Sequence, residues 1–152
     1  MRLEGKRALV TGGSRSIGRA IAVGLAREGA DVVINYKSHK DAADEVVKAI
    51  EGYGRRALAI QASTDSKPDV DRMAKEADRF LDGIDILVNN AGVLKRTPVL
   101  EITEEDWDWT LNTNLKGYFM VGQAVARHMV GRKIQGNFIN MSSAGQAVAA
   151  PN

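Results

Sequence analysis

Cysteine is absent from the 152 residues. That excludes disulfides, thiolate nucleophiles and cysteine metal sites, and it fits a reducing compartment. Long apolar runs are missing as well. The opening MRLEGKRALVTGG carries charges at Arg2, Glu4, Lys6 and Arg7, so it resembles neither a secretory signal nor a membrane span. A cytoplasmic setting without a membrane partner is expected. Neither sign of charge dominates: 21 basic residues face 19 acidic ones for a net +2, too little to imply a nucleic-acid partner while the basic residues are scattered. The pairs Arg55-Arg56 and Arg132-Lys133 read as solvated charges of a loop and a helix end. There is no G-x-S-x-G elbow and no acid beside either histidine, which disfavours a serine hydrolase. His39 and His128 are expected on the surface, and no metal centre is expected. No linker or low-complexity stretch interrupts the chain, so residues 1–152 are read as one domain.

What is present is an alternation of short apolar runs and helical periodicity. Strands are expected at residues 7–11, 31–36 (DVVINY), 57–61, 84–89 and 137–141. Helices are expected at residues 16–28, where Ile17, Ile21 and Leu25 share a face, and at 40–52, 70–81 and 103–130. Thr103 with Asp106 forms a capping-box pattern ahead of the last, long helix. Strand–helix alternation at this spacing implies right-handed crossovers and a parallel sheet covered on both faces. The near-continuous apolar strands VVI and ILV agree with burial on both sides. The expected fold class is α/β, a doubly wound, Rossmann-like parallel sheet. Ligands of such sheets bind beyond the C-terminal strand ends, where Gly12, Asn35, Asn90 and Ser143 all fall.

Residues 11–18, TGGSRSIG, join the first strand to the first helix. A glycine is needed where the chain turns sharply, and another where backbone must approach a pyrophosphate. Free N–H groups and the positive end of the helix dipole then hold the anion. Gly12, Ser14, Arg15, Ser16, Ile17 and Gly18 are the candidates. A site for NAD normally carries an acid about 20 residues past the turn to bind the ribose hydroxyls. Here the second strand ends in Asn35-Tyr36-Lys37 with no carboxylate. Asp31 lies at the wrong end of the strand and Asp41 well inside the next helix. A 2′-phosphate would instead suit Lys37, beside Tyr36, and the guanidinium of Arg15. NADP(H) is therefore the expected cofactor, with NAD(H) tolerated.

Further along stand NNAG at residues 89–92, NTNLKG at 112–117 and INMSS at 139–143. Taken by themselves, paired asparagines at a strand end more often mark a turn. An asparagine inside a long helix is a poor helix former whose amide competes for backbone bonds. The four motifs, in this order, resemble the short-chain dehydrogenase/reductase superfamily over essentially the whole chain. INYKS and the overall pattern are most similar to the subgroup that includes 3-oxoacyl-carrier-protein reductases and glucose 1-dehydrogenase-like enzymes.

That resemblance implies hydride exchange between a secondary alcohol and its ketone, a small-molecule substrate, and roles for specific residues. Asn90, Ala91 and Gly92 would contact the cofactor. Ser63 and Thr64 stand where many relatives have Asp-Val beside the adenine. Asn114 matches the asparagine that distorts its helix and holds a relay water, with Asn112 the rival. Ser143 matches the active-site serine, with Ser142 the alternative. Ser16 departs from the family's TGxxxGIG turn, in which that position is glycine; it costs something if the position needs positive φ, while its hydroxyl could instead add a hydrogen bond to a phosphate. Gly117, Gly122 and Ala126 resemble the family's oligomer interface, implying a dimer or tetramer, though they would equally suit close intramolecular packing. In the family a Tyr-x-x-x-Lys pair follows the serine. None follows here, and Tyr36, Tyr53 and Tyr118 do not replace it. The expectation is a domain truncated on its C-terminal side, short of its acid/base and last strands. Two other functions stay open: a non-catalytic NADP(H)-binding module, and a structural subunit that pairs with a longer homologue.

Overall fold

The computed structural model describes residues 1–143. The truncation expected on the C-terminal side concerns residues outside that range. Five strands form one sheet: β1 (Arg7–Val10), β2 (Asp31–Tyr36), β3 (Ala57–Gln61), β4 (Ile86–Asn89) and β5 (Asn137–Asn140). Every pairing is parallel, in the order β3-β2-β1-β4-β5. The helices α1 (Ser16–Arg27), α2 (Lys40–Glu51), α3 (Lys67–Leu81), α4 (Glu104–Leu111) and α5 (Gly117–Arg132) make the crossovers. This is the expected Rossmann-like α/β fold.

The two-residue period of the strands divides the core. Leu9, Val33 and Leu87 point to one face, where they meet Val70, Met73 and Leu81 of α3 and Val121 and Val125 of α5. Ala8, Val10, Val32, Ile34 and Val88 point to the other, against Ala22 and Ala26 of α1 and Val46 and Ile50 of α2. Each fully buried Val, Leu or Ile stabilises the fold by roughly 1.5–3 kcal/mol before entropy is counted. Because β1, β2 and β4 are covered on both sides, their central residues are apolar, and the polar ones (Arg7, Asp31, Asn35 and Asn89) stand at or next to their ends.

The N-terminal edge of the sheet is tied by charge. The Arg7 guanidinium donates to Asp85 from Nε at 2.7 Å and from Nη2 at 3.2 Å, while Arg7 N donates to the same carboxylate at 3.1 Å. Asp31, set aside above as a ribose ligand, accepts from Arg56 N at 2.9 Å and Nε at 2.7 Å. It sits at the sheet's opposite end from the cleft, as expected.

Three expectations need correction. β4 begins at Ile86, not at residue 84, because Asp85 is engaged by Arg7 at the sheet's entry. α3 begins at Lys67 with Pro68 in its first turn, earlier than the apolar periodicity indicated; proline is pre-set for that position. The single long helix expected over residues 103–130 is α4 and α5 joined by a π-helical turn, Asn112–Lys116. The cap at its start holds: Thr103 Oγ1 accepts from Asp106 N at 3.2 Å.

Candidate functional site

At the C-terminal ends of the strands, the glycine turn after β1 is pressed against the segment after β4. Gly12 has φ +63, and a Cβ there would stand 2.9 Å from Ala91 Cα. A Cβ on Gly18 would stand 2.2 Å from the Gly12 carbonyl oxygen and 2.6 Å from Asn90 Nδ2. Only glycine fits either position. Ser16 sits at φ 47, so the position does require the left-handed region and the serine is strained there. Arg15 is the extended N-cap of α1; no side chain caps that end and no acid lies in its first turn. The end of α1 therefore presents N–H groups and positive dipole to an anion.

Asn35, fully inside the fold, braces this turn. Its Oδ1 accepts from Gly12 N at 3.2 Å, and its Nδ2 donates to Ala62 O at 2.9 Å. One amide thus fixes both the β1 turn and the exit of β3. The sequence placed Asn35 at the ligand end without giving it this task. Asn90 does similar work from the other side, donating from Nδ2 to Thr11 O at 3.0 Å and Gly12 O at 3.2 Å. The backbone N–H groups of Asn90 and Ala91 both donate to Thr11 Oγ1, at 3.0 and 3.1 Å. Asn90 is thereby spent on shaping the cleft wall, leaving the Ala91–Gly92 stretch as the surface.

The result is a cleft of about 520 Å³ lined by the glycine turn from Gly12 to Gly18, by Asn35 to His39, by Ala62 to Asp65, and by Asn90 to Val93 with Thr113. It gathers every cofactor residue expected from the sequence: Ser14, Arg15, Ser16, Ile17, Tyr36, Lys37, Ser63, Thr64, Ala91 and Gly92 among them. Among the lining residues that the sequence did not single out, two can carry charge. His39 is exposed, as expected, and its Nε2 lies 3.2 Å from Arg15 Nη1. Asp65 brings a carboxylate, to which Lys37 Nζ donates at 3.4 Å and Ser63 Oγ also donates. The Ser63 hydroxyl and then the Lys37 charge hold the Asp65 carboxyl below its ordinary range, against the opposing pull of burial. The only sequence signal was the short polar turn STD after β3. His128 departs from the surface expectation, half-buried between α5 and α3 with Nδ1 3.4 Å from Asp78.

Asn114 reaches back across the chain. Its Nδ2 donates to Val93 O and its Oδ1 accepts from Val93 N, both at 2.8 Å. This amide pairs with Val93 as a neighbouring strand would, and it lies within the π-helical turn. Thr113 beside it is buried, lines the cleft, and its Oγ1 has no hydrogen-bond partner among the described residues. Ser142 and Ser143 follow β5 and are both exposed. Tyr118 donates its hydroxyl to Met141 O at 3.3 Å, and burial pushes its pKa up. That is the wrong direction for a proton-accepting phenolate, in keeping with its exclusion above. Gly117 and Gly122 face inward: a Cβ on Gly117 would stand 3.1 Å from Thr64 O, and one on Gly122 3.7 Å from Phe138. The close approach at Gly117 suits packing within the chain, while a Cβ on Gly122 would make only an ordinary contact.

A glycine cradle closed by backbone, an uncapped helix start, an orphaned buried hydroxyl and two cations along one cleft fit a phosphorylated dinucleotide. The cleft runs across the C-terminal ends of β3, β2, β1 and β4 and takes in the gap between β1 and β4, where the strand order reverses and such sheets bind their ligands. The class of protein is a doubly wound α/β domain of this kind. Residues 6–152 match the family described as short chain dehydrogenase, and the chain belongs to it.

The chain is 42% identical over 146 residues to the 3-oxoacyl-(acyl-carrier-protein) reductase of Staphylococcus epidermidis, covering 96% of this chain and 59% of that protein. It is 43% identical over 150 residues to gluconate 5-dehydrogenase of Gluconobacter oxydans, covering 98% and 57%. Among solved structures, a short chain dehydrogenase from Burkholderia cenocepacia in complex with NADP is similar with a TM-score of 0.82 at 48% identity, over 84% of this chain and 52% of that one. A short-chain type dehydrogenase/reductase from Mycobacterium marinum is similar with a TM-score of 0.92 at 35% identity, over 97% and 60%. The chain spans less than two thirds of the length of these relatives.

Proposed function

We propose that the protein carrying this sequence is an NADP(H)-preferring dehydrogenase/reductase that exchanges hydride between a secondary alcohol and its ketone. The observation that carries this reading is one cleft that has the glycine turn on one side, Asn90 to Gly92 on the other, and Arg15 and Lys37 at its lip. Membership in the family, and a relative holding NADP, support it.

Gly12, Ser14, Ile17 and Gly18, with the start of α1, would hold the pyrophosphate by backbone N–H groups. Arg15 and Lys37 would bind a 2′-phosphate, and Ser63, Thr64 and Thr113 would meet the adenosine end. Bound NADP(H) supplies or accepts the hydride. Asn114 keeps Val93 and so Gly92 in place, and Ser143 would donate a hydrogen bond to the substrate oxygen, polarising the carbonyl. The exposed Trp107, Leu115 and Phe119 on α4, the π-turn and α5 suit burial against a second copy, in a dimer or tetramer.

Titration of the natural protein with NADPH and NADH tests the reading. Arg15→Ala and Lys37→Ala are each expected to weaken NADPH by about tenfold, as loss of a charge-assisted contact does, with little effect on NADH. Equal losses for both cofactors, or binding of neither by the unaltered protein, would sink it. Ketone-dependent oxidation of NADPH, lost in Ser143→Ala, tests the reaction itself.

A further inference from the structure

The cations offered to a 2′-phosphate are not bare. Arg15 is engaged with His39. Lys37 is engaged more consequentially, because its partner Asp65 is a carboxylate at the lip of the same cleft. The pair is anchored from both sides. Gln61 Nε2 donates to the Lys37 carbonyl at 3.0 Å, fixing that backbone to the end of β3. The turn bearing Asp65 is fixed by Ser63, whose hydroxyl donates to Asp65 and whose N–H donates to Asp69 Oδ2 at 2.8 Å. Lys37 keeps 64% of its side chain exposed and Asp65 only 24%, so the carboxylate is the seated partner and the lysine the movable one. The end of β2 bears no acid, yet the folded cleft acquires one from the turn after β3.

We propose that Asp65 is a specificity-determining residue for the nicotinamide cofactor. It holds Lys37 and opposes a second anion at that place. A 2′-phosphate must draw Lys37 away from Asp65 and accept the carboxylate as a neighbour, whereas a ribose lacking the phosphate meets neither cost. Asp65 thereby narrows the preference for NADPH over NADH that Arg15 and Lys37 would otherwise create. The inference rests on the reading of the cleft as a nicotinamide-dinucleotide site.

The experiment is titration of the natural protein and its variants with NADPH and NADH, followed by nicotinamide fluorescence. Asp65→Asn retains an acceptor for Ser63 while removing the charge. It is expected to tighten NADPH by about threefold to tenfold, the range of one exposed ion pair plus one like-charge contact. NADH should change by less than about twofold. Asp65→Ser serves as a second variant with the same expectation. In a Lys37→Ala background the gain for NADPH from Asp65→Asn should shrink, since the charge pair it releases is gone. An unchanged NADPH-to-NADH ratio in both Asp65 variants overturns the inference while leaving the cofactor reading intact. A gain of the same size for NADH overturns it too. Failure of the unaltered protein to bind either dinucleotide overturns both.

Discussion

Ser16 is the one residue of the glycine turn whose side chain opposes its own backbone. At φ 47 an L-residue carries a cost of roughly 1–2 kcal/mol, from Cβ against the following carbonyl. Ser16→Gly removes that strain. Glycine in return loses more freedom on folding, about 0.5–1 kcal/mol. The difference leaves the variant more stable by about 0.5–1 kcal/mol. In a domain of this size that raises Tm by roughly 1–4 °C. The assay is thermal unfolding of the natural protein beside Ser16→Gly and Ser16→Ala, with and without NADPH. The alanine variant keeps the Cβ and loses the hydroxyl, so it separates strain from hydrogen bonding. A Tm for Ser16→Gly equal to or below that of the unaltered protein would refute the strain argument. If Ser16→Ala falls alongside it, the hydroxyl is what holds the turn.

Other outcomes follow from the same geometry. Asp85→Asn should cost about 2 kcal/mol, the size of lost charge-assisted hydrogen bonds at a part-buried site, read by urea unfolding at neutral pH. Burial raises the Asp85 pKa, but the Arg7 hydrogen bonds and charge outweigh it and hold the carboxyl below its ordinary value. Its contribution is therefore complete above about pH 4 and is lost as pH falls through the depressed native pKa. The gap between the two proteins should close on acidification, and a gap independent of pH would contradict this. Asn114→Ala removes both bonds to Val93 and should cost about 1–3 kcal/mol. It should also speed hydrogen exchange at the Val93 amide, and unchanged exchange there would show that the segment is held by something else.

Much of the fold was legible because burial imposes its period directly on the residues. DVVINY and ILV could be read as strands covered on both faces, since a parallel sheet between two helical layers leaves almost no polar position. The glycine turn was legible for a related reason. At Gly12 and Gly18 a side chain would collide with backbone, so the residue type records the geometry. Boundaries were less legible where the deciding partner lies far along the chain. The entry of β4 depends on Arg7 and Asp85, which are distant in sequence, and the π-turn depends on Asn114 finding Val93.

The sequence by itself determined the order of the elements, the α/β class, the turn that meets a phosphate and the absence of an acid at the end of β2. These are local properties: apolar periodicity, backbone freedom, and the residue types on one strand. Only the tertiary structure decided what surrounds the cations. Parallel pairing of β2 with β3 sets the turn after β3 beside Lys37 and delivers Asp65 to it, and the approach of α2 to the glycine turn sets His39 beside Arg15. Charge at a site is a sum over space, and the residues that share that space belong to separate segments until the sheet assembles them.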